Sequence, residues 1–254
     1  MISFSLLKQT IKANWVIWAA MTAISSVLLA QFAAMEMTQN LLFVIFYSIM
    51  VTLFPAIYSL ISANKLLSGQ VDSGSMAYVL STPTGRGKVV ATQAAYSIVS
   101  IVLMFAATTI VHVAVNAASP LAIAVATGGS VMVDGDLTAQ LIIQVNASAC
   151  LASLAVSGLC FMFSGIFNRS KYAVGFAGVL VGVCILAGMM GMFGQLGIDS
   201  LENFKYATLF SLYDYQSVLQ ATNDWIGKAV AAGVVGLAGY VIGSAWFCKK
   251  DLPL

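Results

Sequence analysis

The most restrictive feature of the sequence is a series of six apolar stretches joined by short polar connections. A charged side chain at the bilayer centre costs about 2.5–3.5 kcal/mol, so long charge-free stretches are typical of membrane spans. The predicted spans are 13–34, 41–63, 89–115, 141–167, 172–193 and 225–247, and only the last holds a charge, Lys228. With 60% hydrophobic and 8% charged residues, the chain is unlike a soluble domain. We therefore expect an all-α integral membrane protein with a single six-span domain over residues 1–254.

The charged residues divide between two sets of connections. One side, called the basic side below, receives 9 of the 11 basic residues: Lys8, Lys12, Lys65, Arg86, Lys88, Arg169, Lys171, Lys249 and Lys250. The outer side receives 7 of the 9 acidic residues: Glu36, Asp134, Asp136, Asp199, Glu202, Asp214 and Asp224. The positive-inside rule predicts that the basic side is cytoplasmic. The chain is thus expected in the plasma membrane, with both termini in the cytoplasm.

Residues 1–14 are predicted to form a separate amphipathic helix that lies on the inner leaflet. Apolar side chains recur there at spacings of three and four, beside two lysines that would face anionic headgroups. These residues are Phe4, Leu7, Ile11, Trp15, Lys8 and Lys12. The alternative is that the first membrane helix simply begins early.

The longest connection on the basic side, residues 64–88, is predicted to contain a short helix. Ser73 suits its N-cap, and Pro83 prevents its continuation. The helix would carry four apolar side chains, Met76, Tyr78, Val79 and Leu80. A solvated loop gains nothing from such a group, which favours docking against a partner or the membrane surface.

This connection resembles that of the permease subunits of ABC-2 type ABC transporters. The resemblance rests on Gly74, the run Leu80-Ser81-Thr82-Pro83 and Arg86, and on the C-terminal run Phe247-Cys248-Lys249-Lys250-Asp251-Leu252. Six spans and an amphipathic N-terminus extend it over the whole chain. The acidic residue that the family often carries early in the loop has Gln70 or Asp72 as its nearest counterpart here.

The resemblance implies that the loop helix is a coupling helix, which docks on a separate nucleotide-binding ATPase. The docking residues would be Asp72, Met76, Tyr78, Leu80 and Arg86. Two ATPase copies would serve two permease copies, as a homodimer or a related heterodimer in the lipid bilayer. The cargo would be amphipathic peptides, drugs or other hydrophobic molecules, moved by export.

No ATPase motif is present in the chain. The only Gly-Lys, Gly87-Lys88, has Thr82 where a P-loop needs its first glycine. We therefore expect no enzymatic activity, cofactor or metal in this chain, with ATP and Mg on the partner ATPase, and no binding of nucleic acid. A non-transporting membrane anchor or sensor subunit is the alternative function.

Two further sets of residues are predicted within the spans. In the family the translocation path runs between two permease copies, and the matching residues here are Tyr47, Pro55, Tyr58, Met189 and Met190. Small residues four apart let helices approach closely. Such pairs predict helix packing at Gly178 with Gly182 and at Gly239 with Gly243.

The outer connection 194–224 carries five aromatic residues, which are typical of a membrane interface: Phe204, Tyr206, Phe210, Tyr213 and Tyr215. The resemblance implies re-entrant or interfacial helices here, capping the path. The alternative is a segment that only shields the ends of spans five and six. His112, the single histidine, is predicted to be a hydrogen-bonded residue between helices, because no span offers a carboxylate for a proton relay.

Overall fold

The computed structural model describes residues 2–35, 42–81, 84–120, 137–195, 201, 208–220 and 222–252. Within these ranges the secondary structure is helical and contains no strand. Six helices there are long and apolar enough to cross a membrane. The predicted all-α architecture with six spans is confirmed at this level.

The helices follow one another in a simple order. Helix α1 covers Phe4–Ala34, and α2 begins as a π-helix over Leu42–Met50 and continues as an α-helix over Val51–Leu66. Two short helices follow, α3 (Ser68–Asp72) and α4 (Ser75–Leu80), and then α5 (Arg86–Ala118), α6 (Ala139–Ile166) and α7 (Ser170–Gln195). After a 3-10 turn at Leu209–Leu212 and the short helix α8 (Tyr215–Leu219), α9 covers Asp224–Lys249.

Helix α1 corrects the prediction of a separate N-terminal helix. It runs without a break from Phe4 to Ala34, so the alternative of an early start to the first membrane helix describes it better. The reason is local, because this stretch contains neither glycine nor proline and nothing in it ends a helix. Its 31 residues extend over about 46 Å, which exceeds the roughly 30 Å of a hydrocarbon core.

The outer surface of the bundle is apolar, and polar side chains of the spans turn inward, into a core that is otherwise apolar. On the outer surface, Val27, Ile110 and Val179 are 64%, 69% and 68% exposed. The buried side chains include Asn14, Ser97, His112, Asn146 and Ser157. This distribution fits a lipid environment, where polar groups in a span turn toward neighbouring helices.

Helix α6 is the most buried of the six long helices and packs most extensively against α9. Glycines bring the two backbones together. A Cβ atom on Gly239 would lie 2.5 Å from the carbonyl carbon of Gly158, and one on Gly243 would lie 2.7 Å from Cα of Met162. The close packing predicted for Gly239 and Gly243 is therefore present, and Gly158 on α6 completes the contact from the other side.

The second predicted glycine pair does not pack in this way. A Cβ atom on Gly178 or Gly182 would meet nothing within 4 Å among the described residues. Helix α7 instead packs against the bundle through a neighbouring face that includes Ala177, Val181 and Cys184. Both glycines lie beside that face, on a part of the helix that meets no described residue of this chain closely, so the packing predicted for this pair stays a prediction.

Candidate functional site

The loop helices on the basic side are held firmly against the bundle. Gly74 has a φ of 73° just before α4, a left-handed conformation that glycine adopts without strain. Met76 is fully buried in a cluster with Leu66, Val71 and Val89. The short helix α4 is thus anchored chiefly by Met76, with Val79 and Leu80 packed against the same cluster, while the face that carries Tyr78 stays open.

Tyr78 lies on that open face and is 81% exposed, the highest value of any large apolar side chain in the described residues. Leu80 is only half-buried, and Asp72 is exposed. The five predicted docking residues therefore differ in what they contact. Tyr78 reaches the surface, Met76 and Arg86 help to hold the loop in place, and Asp72 and Leu80 do both.

Arg86 belongs to a set of contacts that joins three connections on the basic side. Its Nη1 donates to the carbonyl oxygen of Lys250 at 3.0 Å, and the Lys250 ammonium donates to the carbonyl oxygen of Phe167 at 3.2 Å. Burial lowers the pKa of Lys250 to about 8. The backbone N–H of Ser170 donates to the Asp72 carboxylate at 3.2 Å. These contacts join the loop, the α6–α7 connection and the C-terminus into one surface.

Sequence reasoning did not find this joined surface. In the sequence, Lys249 and Lys250 stand out only as part of the C-terminal run that resembles the ABC-2 family. The residues that meet at this surface are far apart in the sequence. Arg86 and Lys250 bond to backbone carbonyl oxygens and not to acidic side chains, so no pair of opposite charges in the sequence predicts these contacts.

Tyr47, predicted to line a path, is buried on the π-helical part of α2. Its hydroxyl accepts from Nδ2 of Asn146 at 3.0 Å and bonds Nδ1 of His112 at 2.6 Å. Which of these two groups donates depends on the tautomer of the His112 ring. His112 is thus a hydrogen-bonded residue between helices, as the sequence predicted.

Tyr58 is also fully buried, and its hydroxyl donates to that of Tyr96 at 3.2 Å. Pro55 lies inside α2 and is buried as well. Of the predicted path residues, only Met189, at 39% exposure, and the half-buried Met190 lie toward the surface of α7. The structure therefore does not bring the two predicted walls together on one face of the chain.

The described part of the outer connection packs onto the bundle. Tyr213, Tyr215 and Val218 are buried in the same cluster as Tyr47, and the Tyr215 hydroxyl lies 2.9 Å from Oγ of Ser48. The helical pieces at Leu209–Leu212 and Tyr215–Leu219 are each about one turn long. Phe204 and Tyr206 lie outside the described residues. This part of the connection covers the ends of the long helices.

Asp214 attaches this segment to α9. Its carboxylate accepts from the backbone N–H of Ser217 at 3.1 Å and from the Lys228 ammonium at 2.5 Å. Partial burial raises the pKa of the Asp214 carboxyl, but the bonds from Lys228 and Ser217 outweigh burial and hold the pKa below its ordinary value. Lys228, the one charge in a predicted span, therefore has a partner at the outer end of α9.

Asp214→Asn is expected to lower stability by about 1 kcal/mol at pH 6, because asparagine still caps α8 but loses the ion pair. Because the pKa of Asp214 is lowered in the folded state, its ionised carboxylate stabilises the fold at pH values above the ordinary pKa of 3.8. This stabilisation is lost as the pH falls further and the carboxylate takes up a proton. Thermal melting of the wild type and the variant should therefore converge below that pH. Lys228→Gln should give the same loss, with no further loss in the double variant; a pH-independent difference would contradict this assignment.

The arrangement on the basic side is the part of the chain best suited to contact another protein. It combines a fixed short helix, one exposed aromatic side chain and a surrounding set of basic residues. Comparison of the sequence with models of known protein families finds no match, and comparison with curated proteins finds none. The function is therefore inferred from the arrangement of side chains on the basic side.

Proposed function

We propose that the chain is the permease subunit of an ATP-driven transporter of the ABC-2 type, working with a separate ATPase. The observation that carries this proposal is Tyr78, an exposed aromatic side chain on a helix that Met76 fixes to the bundle. Buried interface anchors are enriched in tyrosine, tryptophan and arginine, and a rigid presentation lowers the entropic cost of docking. In this proposal α4 is the coupling helix.

The composition of the spans supports an external source of energy. None of the predicted spans contains a carboxylate, and Lys228 lies at the start of the sixth. Carriers driven by ions commonly place such groups near the bilayer midplane. A pump built from these helices therefore receives its energy through contact with another subunit.

The contacts of the loop suggest how a push on α4 would travel. Helix α3 continues from α2, and Ser164 on α6 bonds the backbone N–H of Ser68 at 3.0 Å. Asp72 bonds the first residue of α7, Ser170. In the proposed mechanism, ATP-driven approach of two ATPase copies moves the loop, tilts α2 and α7, and closes the inner mouth.

A second permease copy completes the proposed transporter. The outward face of α7 is apolar, with the open positions Gly178 and Gly182 beside Met189. Such a face suits both close approach of another copy and contact with hydrophobic cargo. We propose export of amphipathic peptides, drugs or similar molecules across the plasma membrane, with the basic side in the cytoplasm.

Tyr78→Asp is expected to reduce co-purification of the ATPase by at least about tenfold, because it places a charge at the centre of an apolar contact. For this test, a P-loop ATPase encoded beside this chain is co-expressed with it and captured through the permease. The matched control is Tyr172→Asp, an exposed tyrosine in the first turn of α7 on the basic side. Undiminished co-purification by Tyr78→Asp, with an unchanged gel-filtration profile, would contradict the proposal. A complete lack of any ATPase partner would favour the anchor or sensor function.

A further inference from the structure

A cleft of about 510 Å³ lies between α1 and the loop helices on the basic side. Apolar side chains line part of it, including Leu6, Val79 and the ring of Tyr78. Asn14, Gln70 and Lys65 supply its polar part, and the cleft lining contains no carboxylate. The cleft is thus amphipathic, with one positive charge.

Two buried amide oxygens at this cleft have no hydrogen-bond partner among the described residues. They are Oδ1 of Asn14, a residue only 4% exposed, and Oε1 of Gln70. Nδ2 of Asn14 donates to the carbonyl oxygen of Thr10 at 3.0 Å, and Nε2 of Gln70 donates to that of Lys65 at 3.2 Å. Turning either amide over would set two oxygens against each other, so the free groups are acceptors. These acceptors suit a ligand with N–H or O–H donors.

The lengths of two helices place this cleft at the level of lipid headgroups. About 20 helical residues cross the 30 Å hydrocarbon core. Counted back from Ala34, the end of α1, such a span begins near Asn14. Counted forward from Ile45, where the second candidate span begins, it ends near Lys65. Both helices thus bring their cleft residues to the same membrane surface.

We propose that this cleft binds a phospholipid whose headgroup carries hydrogen-bond donors. The headgroup ammonium or hydroxyl donates to the oxygens of Asn14 and Gln70, and the phosphate lies against the Lys65 ammonium. The acyl chains leave along the apolar side of the cleft. This site does not depend on the proposed transport function, and it ties α1 to the loop that carries Tyr78.

Native mass spectrometry of the purified full chain tests the site with two lipids of identical acyl chains. Phosphatidylethanolamine carries an ammonium with N–H donors, whereas phosphatidylcholine carries the same phosphate without them. Wild-type protein should retain one phosphatidylethanolamine in about tenfold preference, as expected for hydrogen bonds to a charged donor. Asn14→Leu and Gln70→Met should each lower its retention toward that of phosphatidylcholine, and Lys65→Gln should reduce both lipids.

Lys12→Gln is the matched control, because Lys12 is an exposed lysine on the same helix and does not line the cleft. It should change neither lipid. Gel filtration checks the folding of each variant. Gln70 lies in the loop and not in a long helix, so Gln70→Met still tests the site if Asn14→Leu fails to fold. Equal retention of the two lipids, or unchanged retention in both amide variants, would overturn the proposal. If an equal concentration of soluble phosphoethanolamine displaces the lipid, the site binds the free headgroup compound, and the proposal that its ligand is a phospholipid is contradicted.

Discussion

Replacing Gly239 by leucine is expected to destabilise the protein by about 3 kcal/mol or more, and to reduce the yield of folded protein sharply. The physical reason is that the new side chain would meet backbone. A Cβ atom at this position already lies 2.5 Å from the Gly158 carbonyl carbon, and a backbone atom in a helix cannot turn aside as a flexible side chain can. Helix α9 would have to move away from α6, its principal neighbour.

Gly227→Leu is the matched control for this experiment. It is the same substitution in the same helix, but at a position where a Cβ atom meets nothing within 4 Å among the described residues. Thermal melting followed by fluorescence-detected gel filtration should show a large loss for Gly239→Leu and almost none for Gly227→Leu. Equal stability of the two variants would mean that the α6–α9 contact is not as close as described.

Tyr47→Phe should destabilise the chain by about 2 kcal/mol, because two buried groups each lose a hydrogen bond at once. The Tyr47 hydroxyl serves both His112 and Asn146, and Nδ2 of Asn146 keeps only its bond to the carbonyl oxygen of Ile142. His112 Nδ1 has no other partner among the described residues. The loss should therefore exceed the roughly 0.6 kcal/mol average for hydrogen bonds inside membrane proteins.

Tyr240→Phe provides the comparison within the same bundle. The Tyr240 hydroxyl lies 3.0 Å from Oγ of Ser97 and 2.7 Å from Oγ of Ser157, and the two serine oxygens lie 3.2 Å from each other. After the substitution the serines can still bond one another, so the cost should stay near about 0.6 kcal/mol. Equilibrium unfolding in mixed micelles gives both values; a larger loss for Tyr240→Phe than for Tyr47→Phe would contradict this interpretation of the two clusters.

The spans could be predicted from the sequence because charge is so costly in lipid that its absence marks them. The orientation of each helix could not be predicted in the same way. Tyr47 and Tyr58 sit in a charge-free stretch with apolar side chains on every face, so hydrophobic periodicity alone does not distinguish the inner face from the outer. The buried positions of polar side chains such as Asn146 and His112 are a better guide in such a helix.

The glycine pairs show a second limit of sequence reasoning. Gly178 with Gly182 and Gly239 with Gly243 have the same spacing, yet within the described part of the chain only the second pair meets another backbone. The difference lies in whether the facing helix also offers a small residue, and Gly158 supplies one for α9. Whether Gly158 lies opposite these glycines depends on the register between α6 and α9, and a single sequence does not predict the register of two distant helices.

The surface on the basic side was predicted in part. Composition indicated that the loop helix carries an exposed apolar group, and Tyr78 is exposed. The burial of Met76 and the bond from Arg86 to the C-terminal backbone were not predicted, because they depend on how α5 and α9 end beside the loop. In a short run of apolar residues, the sequence does not distinguish a side chain that anchors the loop, such as Met76, from one that is exposed, such as Tyr78.

Site-specific photocrosslinking at position 78 tests the proposed function most directly. A photoreactive phenylalanine analogue replaces Tyr78 in cells that also make the proposed partner ATPase, with the same analogue at Tyr172 as the control. The proposal predicts a crosslink between position 78 and the P-loop ATPase, identified by mass spectrometry, and a much weaker one from position 172. Crosslinks to lipid alone at position 78, with the ATPase present and folded, would contradict it.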